Sequence, residues 1–275
     1  MAAPTSSRPS PGAWLRQILE PEDGFGPVAQ AAAGLMFLTR LRLPIRMSWP
    51  DDALARASWS FPLVGALIGA FGAGAGLAAS SLGLPVSVAA LVALAATMLL
   101  TGALHEDGLA DTADGFGGGR TIEQKLAIMK DSRIGTYGVL ALLVSVALRA
   151  SCLVAVLGQG RWPFLGALVA AHAVGRAGLP TLMRGLEPVR PGGLGAMAGL
   201  PSISVSVAAA LVGLGLLLAG LGFWRGVLTA PLAVAAMAAV AMLARRQIGG
   251  YTGDVLGAAE QTAEIAVLLA AGAAM

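Results

Sequence analysis

Long unbroken apolar runs dominate this chain, and they leave few folds open to it. A helix that crosses a bilayer needs roughly 20 mostly apolar residues. Six stretches meet that need, at about 58–82, 84–104, 135–158, 162–183, 203–222 and 226–244, and a seventh runs from about 255 to 274. In hydrocarbon every backbone polar group needs an internal partner, and a helix supplies one within its own segment. The expected fold is therefore an all-α, polytopic integral membrane helical bundle, with about seven transmembrane helices plus an N-terminal amphipathic helix. Residues 27–46 supply that last element. They are apolar but interrupted by Arg40, Arg42, Pro44 and Arg46, which suits an interfacial or half-inserted helix. Only 12% of the 275 residues are charged and the mean hydropathy is +0.77. Average soluble domains carry about 25% charged residues, so a soluble class is excluded. Small residues do much of the apolar filling, which suits close packing between membrane helices.

The loops set the orientation. The connection near Gly83–Pro85 has no charge, and those near Gly158–Trp162 and Leu221–Gly226 carry one arginine each, Arg161 and Arg225. The other side holds Arg40, Arg42 and Arg46, then Arg120, Lys125, Lys130 and Arg133, then Arg184 and Arg190, then Arg245 and Arg246. This asymmetry places the longer loops in the cytoplasm, and so predicts a multi-pass membrane protein with its polar face inward. The net charge of +3 is spread over these loops and does not point to nucleic acid. Residues 1–26, rich in Pro and Ser at their start, are expected to be a disordered cytoplasmic tail, and 27–275 a single membrane domain. The lone Cys152 sits in an apolar run and is expected to be a small buried hydrophobe.

Six of the 15 acidic residues fall between Glu106 and Asp131. Asp107, Asp111 and Asp114 are spaced i, i+4, i+7, so a helix continuing from the second span presents all three on one face. Three like charges there are tolerable together only beside a cation or a cluster of bases. Carboxylate oxygens suit Mg²⁺ or Mn²⁺, with phosphate oxygens completing the shell. His105 and Glu106 can support such a site from behind or poise a proton transfer. Acidic groups where a membrane helix leaves the bilayer are costly unless used, which favours function over mere solvation. Gly117 and Gly118, in the run Gly115–Gly119, can let backbone N–H groups approach a phosphate, although such a run is more often a flexible turn.

Two more polar clusters belong to the same side. In Lys130–Gly138, Lys130 and Arg133 can take phosphate charge, or can simply flank the third span. Asp131 can be a further ligand or can orient Arg133. The third cluster, Gly249–Asp254, is followed by Glu260 and Glu264 inside the last apolar run. Arg149, His172 and Arg176 are the other intramembrane polar groups. His172 and Arg176 either line the mouth of a substrate cavity or neutralise the glutamates.

The runs H-E-D-G-L-A-D-T-A-D-G, M-K-D-S-R-I-G-T-Y-G and G-G-Y-T-G-D-V-L-G-A, in this order and spacing, resemble the cobalamin synthase family, the adenosylcobinamide-GDP ribazoletransferases. F-L-T-R-L at 37–41 is similar to that family's start, and the resemblance covers about 27–275. It implies an Mg²⁺-dependent transferase. The cobinamide phosphate passes from adenosylcobinamide-GDP to α-ribazole, or to its 5′-phosphate, with release of GMP, in the bacterial cytoplasmic (inner) membrane. Carried over to this chain, Asp107, Asp111 and Asp114 are metal ligands and Asp254 completes the shell. Lys130 and Arg133 clamp the diphosphate, and His105 or Asp131 is the base. The implied partners are the two substrates, the lipid bilayer, and either further copies of the chain or other cobalamin-assembly enzymes.

Two rivals stand beside this reading. Intramembrane prenyltransferases also use aspartate-rich helices, but with two similar D-x-x-x-D motifs, whereas Asp131 and Asp254 are lone aspartates. A cation-coupled transporter would use Asp107, Glu260 and Glu264, but transport sites lie near the bilayer midplane and most of these carboxylates lie at its edge.

Overall fold

A computed structural model describes residues 24–44, 49–190, 192, 193 and 197–273. The expected tail, residues 1–26, lies almost wholly outside them. Among the described residues every regular element is a helix, and one isolated bridge joins Pro188 and Tyr251 outside them.

Helix α1 (Pro27–Leu38) has 12 residues, about 18 Å at 1.5 Å per residue, too short to cross. Thr39 ends it, so Arg40 and Arg42 lie beyond its last turn. It packs on the start of the first span through the stacked rings of Phe37 and Phe61, 6.0 Å apart, and the Trp59–Gln30 hydrogen bond of 2.8 Å. That span is longer than the expected 58–82: α2 (Ala53–Ala57), a 3-10 turn (Ser58–Ser60) and α3 (Phe61–Ser81) form one 29-residue rod.

The return helix α4 (Val86–Thr101) ends at Gly102 and Ala103, both left-handed with φ of 69° and 57°. Helix α5 (Leu104–Gly118) then leaves at 89° to α4. The acidic stretch is thus not a continuation of the second span. Two successive left-handed residues turn the chain, and Arg40 N–H donates to the Leu100 carbonyl at the corner, 2.8 Å away. A short α6 (Ile122–Ile128) follows, opened by a Thr121–Gln124 capping box.

The remaining helices are α7 (Thr136–Gln159), α8 (Arg161–Ala177), α9 (Leu179–Gly185), α10 (Ile203–Leu221), α11 (Phe223–Ile248) and α12 (Gly253–Gly272). Among the described residues, five helices are long and apolar enough to cross a membrane, or six if the bent pair α4–α5 counts as one. The difference from the expected seven lies at α8: it has 17 residues and breaks at Gly178 before Pro180, so 162–183 is two helices instead of one, which together carry the chain back from the uncharged end.

Helix α8 is the axle of the bundle. A Cβ at Gly65 or Gly69 of α3 would run into the His172 or Leu168 carbonyl, so α3 and α8 cross backbone to backbone. One apolar core, around Leu38, Phe61, Met183 and Ile248, lies towards the charged loops; the other, around Leu94, Leu153, Phe164 and Leu268, lies towards the uncharged ones. Cys152 is buried in the second core, as its apolar surroundings predict.

Candidate active site

Alternating traversals bring the segments 102–135, 186–190 and 247–254 to one end of the bundle, and direct contacts join them. Tyr251 N–H donates to the Glu187 carbonyl at 2.9 Å and Val189 N–H to the Tyr251 carbonyl at 3.0 Å. Lys125 bonds the Gln247 side chain, and Arg190 reaches the Leu126 carbonyl at 3.3 Å.

The acidic face depends on two glycines. A Cβ at Gly108 would stand 2.8 Å from the Asp254 carbonyl, and one at Gly257 would stand 3.1 Å from the His105 carbonyl. Helices α5 and α12 therefore touch through their backbones, and this brings Asp254, at the start of α12, to Asp107 and Asp111 on α5. The charges of Asp107, Asp254 and Asp114 all act on Asp111. Arg190 stands 3.6 Å from Asp254 and is the base whose charge acts on Asp111. Three clustered carboxylates against one guanidinium leave an excess of negative charge, a donor set that fits a hard divalent cation.

Asp114 has a different setting. It is buried, and its two oxygens accept the backbone N–H groups of Gly135 (2.7 Å) and Gly138 (2.8 Å). It thus caps α7, whose first N–H groups have no partner within the helix. The G-T-Y-G spacing exists for this contact: a Cβ at Gly135 would lie 2.5 Å from one Asp114 oxygen, and one at Gly138 would collide with the other. We expect Gly138→Ala and Asp114→Asn each to cost about 1–3 kcal/mol, read as a lower melting temperature in detergent. Because they break the same contact, the double variant should lose much less than the sum. Additive losses would refute the cap.

The glycine run is helical through Gly118, not a turn. Gly115 admits Met129 and Gly117 admits the Tyr137 ring, where a Cβ would come within 2.6 Å of ring atoms. These glycines dock α6 and α7 on α5. Gly118 lies next to Ile128.

Lys130 and Arg133 are exposed, just before the Gly135 N–H that Asp114 ties to α5. Arg133 forks onto Asp131, with Nη2 to Oδ2 at 2.7 Å. Hydrogen bonds from the Arg133 side chain and backbone pull the Asp131 carboxyl down to about 2, which makes it a weak base near neutral pH.

Behind the acidic face lies a buried ionic lattice. Arg149 of α7, fully buried, donates from Nη1 to Glu106 of α5 and Glu264 of α12, both at 3.0 Å. Arg176 of α8 bonds Glu260 and the His172 carbonyl, and its Nη2 lies 3.2 Å from His105 Nδ1. His172 Nδ1 is 2.9 Å from Glu264, and Gln261 donates to Glu260 at 3.0 Å. Two guanidiniums face three carboxylates, so one further proton on an imidazole or a carboxylate closes the balance. The sequence left two readings open for Arg176, and the structure places it on the neutralising side, buried away from the open face. His105 and Glu106 anchor in this lattice, while their neighbour Asp107 turns to the acidic face. The two glutamates that a transporter would use are paired with guanidiniums. His172, Glu260 and Glu264 also present ligand atoms within 4.8 Å of one another, but that space is shared with Arg176.

Sequence reasoning missed Arg190, which looked like one more loop charge. Its side chain meets Asp254 only because the 187–189 backbone docks on Tyr251, and no local pattern announces that pairing.

The family model for cobalamin-5-phosphate synthase (CobS) matches residues 30–272. An adenosylcobinamide-GDP ribazoletransferase of Bradyrhizobium diazoefficiens is 53% identical over 234 residues, 84% of this chain and 89% of the relative. Proteins of the same name from Mesorhizobium japonicum and Azorhizobium caulinodans are 45% and 44% identical, over 94% and 88% of this chain and 95% and 94% of theirs. No solved structure matches. With nearly the whole described bundle matched, its acidic face and capped α7 included, the chain belongs to the cobalamin-5-phosphate synthase family.

Proposed function

We propose that the chain transfers the cobinamide phosphate of adenosylcobinamide-GDP to a free ribose hydroxyl of α-ribazole, or of its 5′-phosphate. The diphosphate bond to GMP breaks, a phosphate ester to the ribazole oxygen forms, and the hydroxyl loses its proton. The relatives' shared name supports this reading. The observation that carries it is the Asp107–Asp111–Asp254 cluster, held at the charged end by the Gly108–Gly257 contact.

Those three carboxylates would hold Mg²⁺, which supplies charge neutralisation for a diphosphate. Around them the chain's own groups do the rest. Arg190 balances Asp254 and points a guanidinium at the same face. Lys130 and Arg133 are exposed cations for phosphate oxygens, and Asp131 orients Arg133 through the fork. Asp114 fixes the 131–138 segment against α5, which sets the distance between these cations and the carboxylates. His105 acts by position, tying the first turn of α5 to Arg176. The excess of Lys and Arg at this end supports an active face in the cytoplasm, with the protein in the inner membrane.

The test uses membranes containing the protein, adenosylcobinamide-GDP and α-ribazole, with GMP and the corrinoid product read separately. GMP and cobalamin should appear in equal amounts. Chelation by EDTA should stop both, and added Mg²⁺ should restore both. Corrinoid product at full rate in EDTA refutes the metal assignment, and its absence under every condition refutes the reaction.

A further inference from the structure

Helices α10 and α11 are joined tightly at the uncharged end, where Gly226 packs on Leu217 and Leu218. Towards the charged end they leave a groove of about 650 Å³ floored by α8 and α9. One stripe of α11 forms its wall, with Ala230, Ala233, Met237, Ala241 and Arg245 at helical spacing. Of the residues that line it, only Thr181 and Arg245 carry a polar side chain, and Arg245 is exposed at its outer end.

The dimensions are those of one leaflet. From Ala230 to Arg245 the helix rises about 22 Å, and half a bilayer with its headgroup layer is about 20–22 Å. A deep apolar end and one cation at headgroup depth match an amphiphile with an apolar tail and a single anionic head. A corrinoid, whose rim carries many amides, would find almost no hydrogen-bonding partner here.

We infer that this groove holds an anionic phospholipid from the leaflet on the active-site side, its acyl chain between α10 and α11 and its phosphate on Arg245. The bound lipid completes the wall that the small residues leave open, and it sits next to α9 and the 186–190 segment that carries Arg190.

The test is native mass spectrometry of the full chain extracted in mild detergent and titrated with phosphatidylglycerol or phosphatidylcholine. The wild-type chain should retain about one phospholipid, with roughly a 5-fold preference for the anionic lipid. Arg245→Gln should erase the preference while lipid still binds. Ala238→Phe should fill the groove and abolish retention, and Val234→Trp is a second filler should the first lower the melting temperature. Equal retention by wild type and fillers overturns the inference. So does displacement of the lipid by adenosylcobinamide, which would assign the groove to substrate. A dimer that the fillers break would assign it to a second copy.

Discussion

Asp111→Asn should lower turnover by about 10³-fold while leaving the melting temperature unchanged or slightly raised. The substitution keeps the shape of the side chain and removes one of three like charges. Asp107 one turn earlier and Asp254 across the helix contact both repel the Asp111 carboxylate, so its loss relieves the folded state. A residue kept for stability would show the opposite sign. The activity loss follows because a divalent cation would lose a charged oxygen donor, and the diphosphate would lose its neutralising partner. The half-activating Mg²⁺ concentration should also rise in any residual activity. Asp114→Asn is the internal contrast, because there one of the two backbone N–H groups, of Gly135 or Gly138, faces an NH2 in place of its acceptor and stability falls. Wild-type turnover in Asp111→Asn would end the metal-ligand assignment. A melting loss equal to that of Asp114→Asn would move Asp111 to the structural class.

Arg149→Met should cost about 3–5 kcal/mol, which is most of the stability of a marginal protein. Arg149 has no exposed surface, and a single nitrogen bridges Glu106 and Glu264. Methionine fills the volume but leaves two buried carboxylates without their shared cation. The expected result is little protein accumulating in membranes, and an early melt for what does. Neutralising the partners as well, with Glu106→Gln and Glu264→Gln in the same chain, should recover much of the loss, because the cost lies in the uncompensated charge. Through Glu106 the lattice also holds the turn of α5 that carries Asp107, so activity per folded molecule should fall in the single variant. An Arg149→Met protein that melts with the wild type would show that the lattice is incidental to the fold.

These two systems, the acidic face and the arginine–glutamate lattice behind it, differ in how visible they are in the sequence. Asp107, Asp111 and Asp254 stand in motifs, and the expense of carboxylates at a membrane boundary singles them out by position alone. Asp114 stands in the same motif and is chemically identical, yet its oxygens are taken by two backbone N–H groups 21 and 24 residues away. Its fate depends on which segment docks against α5. The glycines show the same limit. Sequence offers Gly115–Gly119 as a place where backbone approaches a phosphate or as a flexible turn, but Gly115 and Gly117 are helical and make room for Met129 and Tyr137. Nothing local separates a glycine needed for backbone freedom from one needed for close approach.

The hydropathy of the chain was enough to settle that it is a helical membrane bundle, because roughly 20 apolar residues in a row have no other stable arrangement in lipid. Charge asymmetry in the loops and three motifs in register were enough to gather the polar clusters at one end and to indicate the family. Only the tertiary structure decided the 89° corner at Gly102–Ala103, the sharing of Arg149 between two glutamates, and the arrival of Arg190 at Asp254. The physical reason is range. Hydropathy and spacing act within one segment, whereas these contacts join α5, α7, α12 and a loop that lie up to 160 residues apart in the chain, about the distance from Leu104 to Glu264.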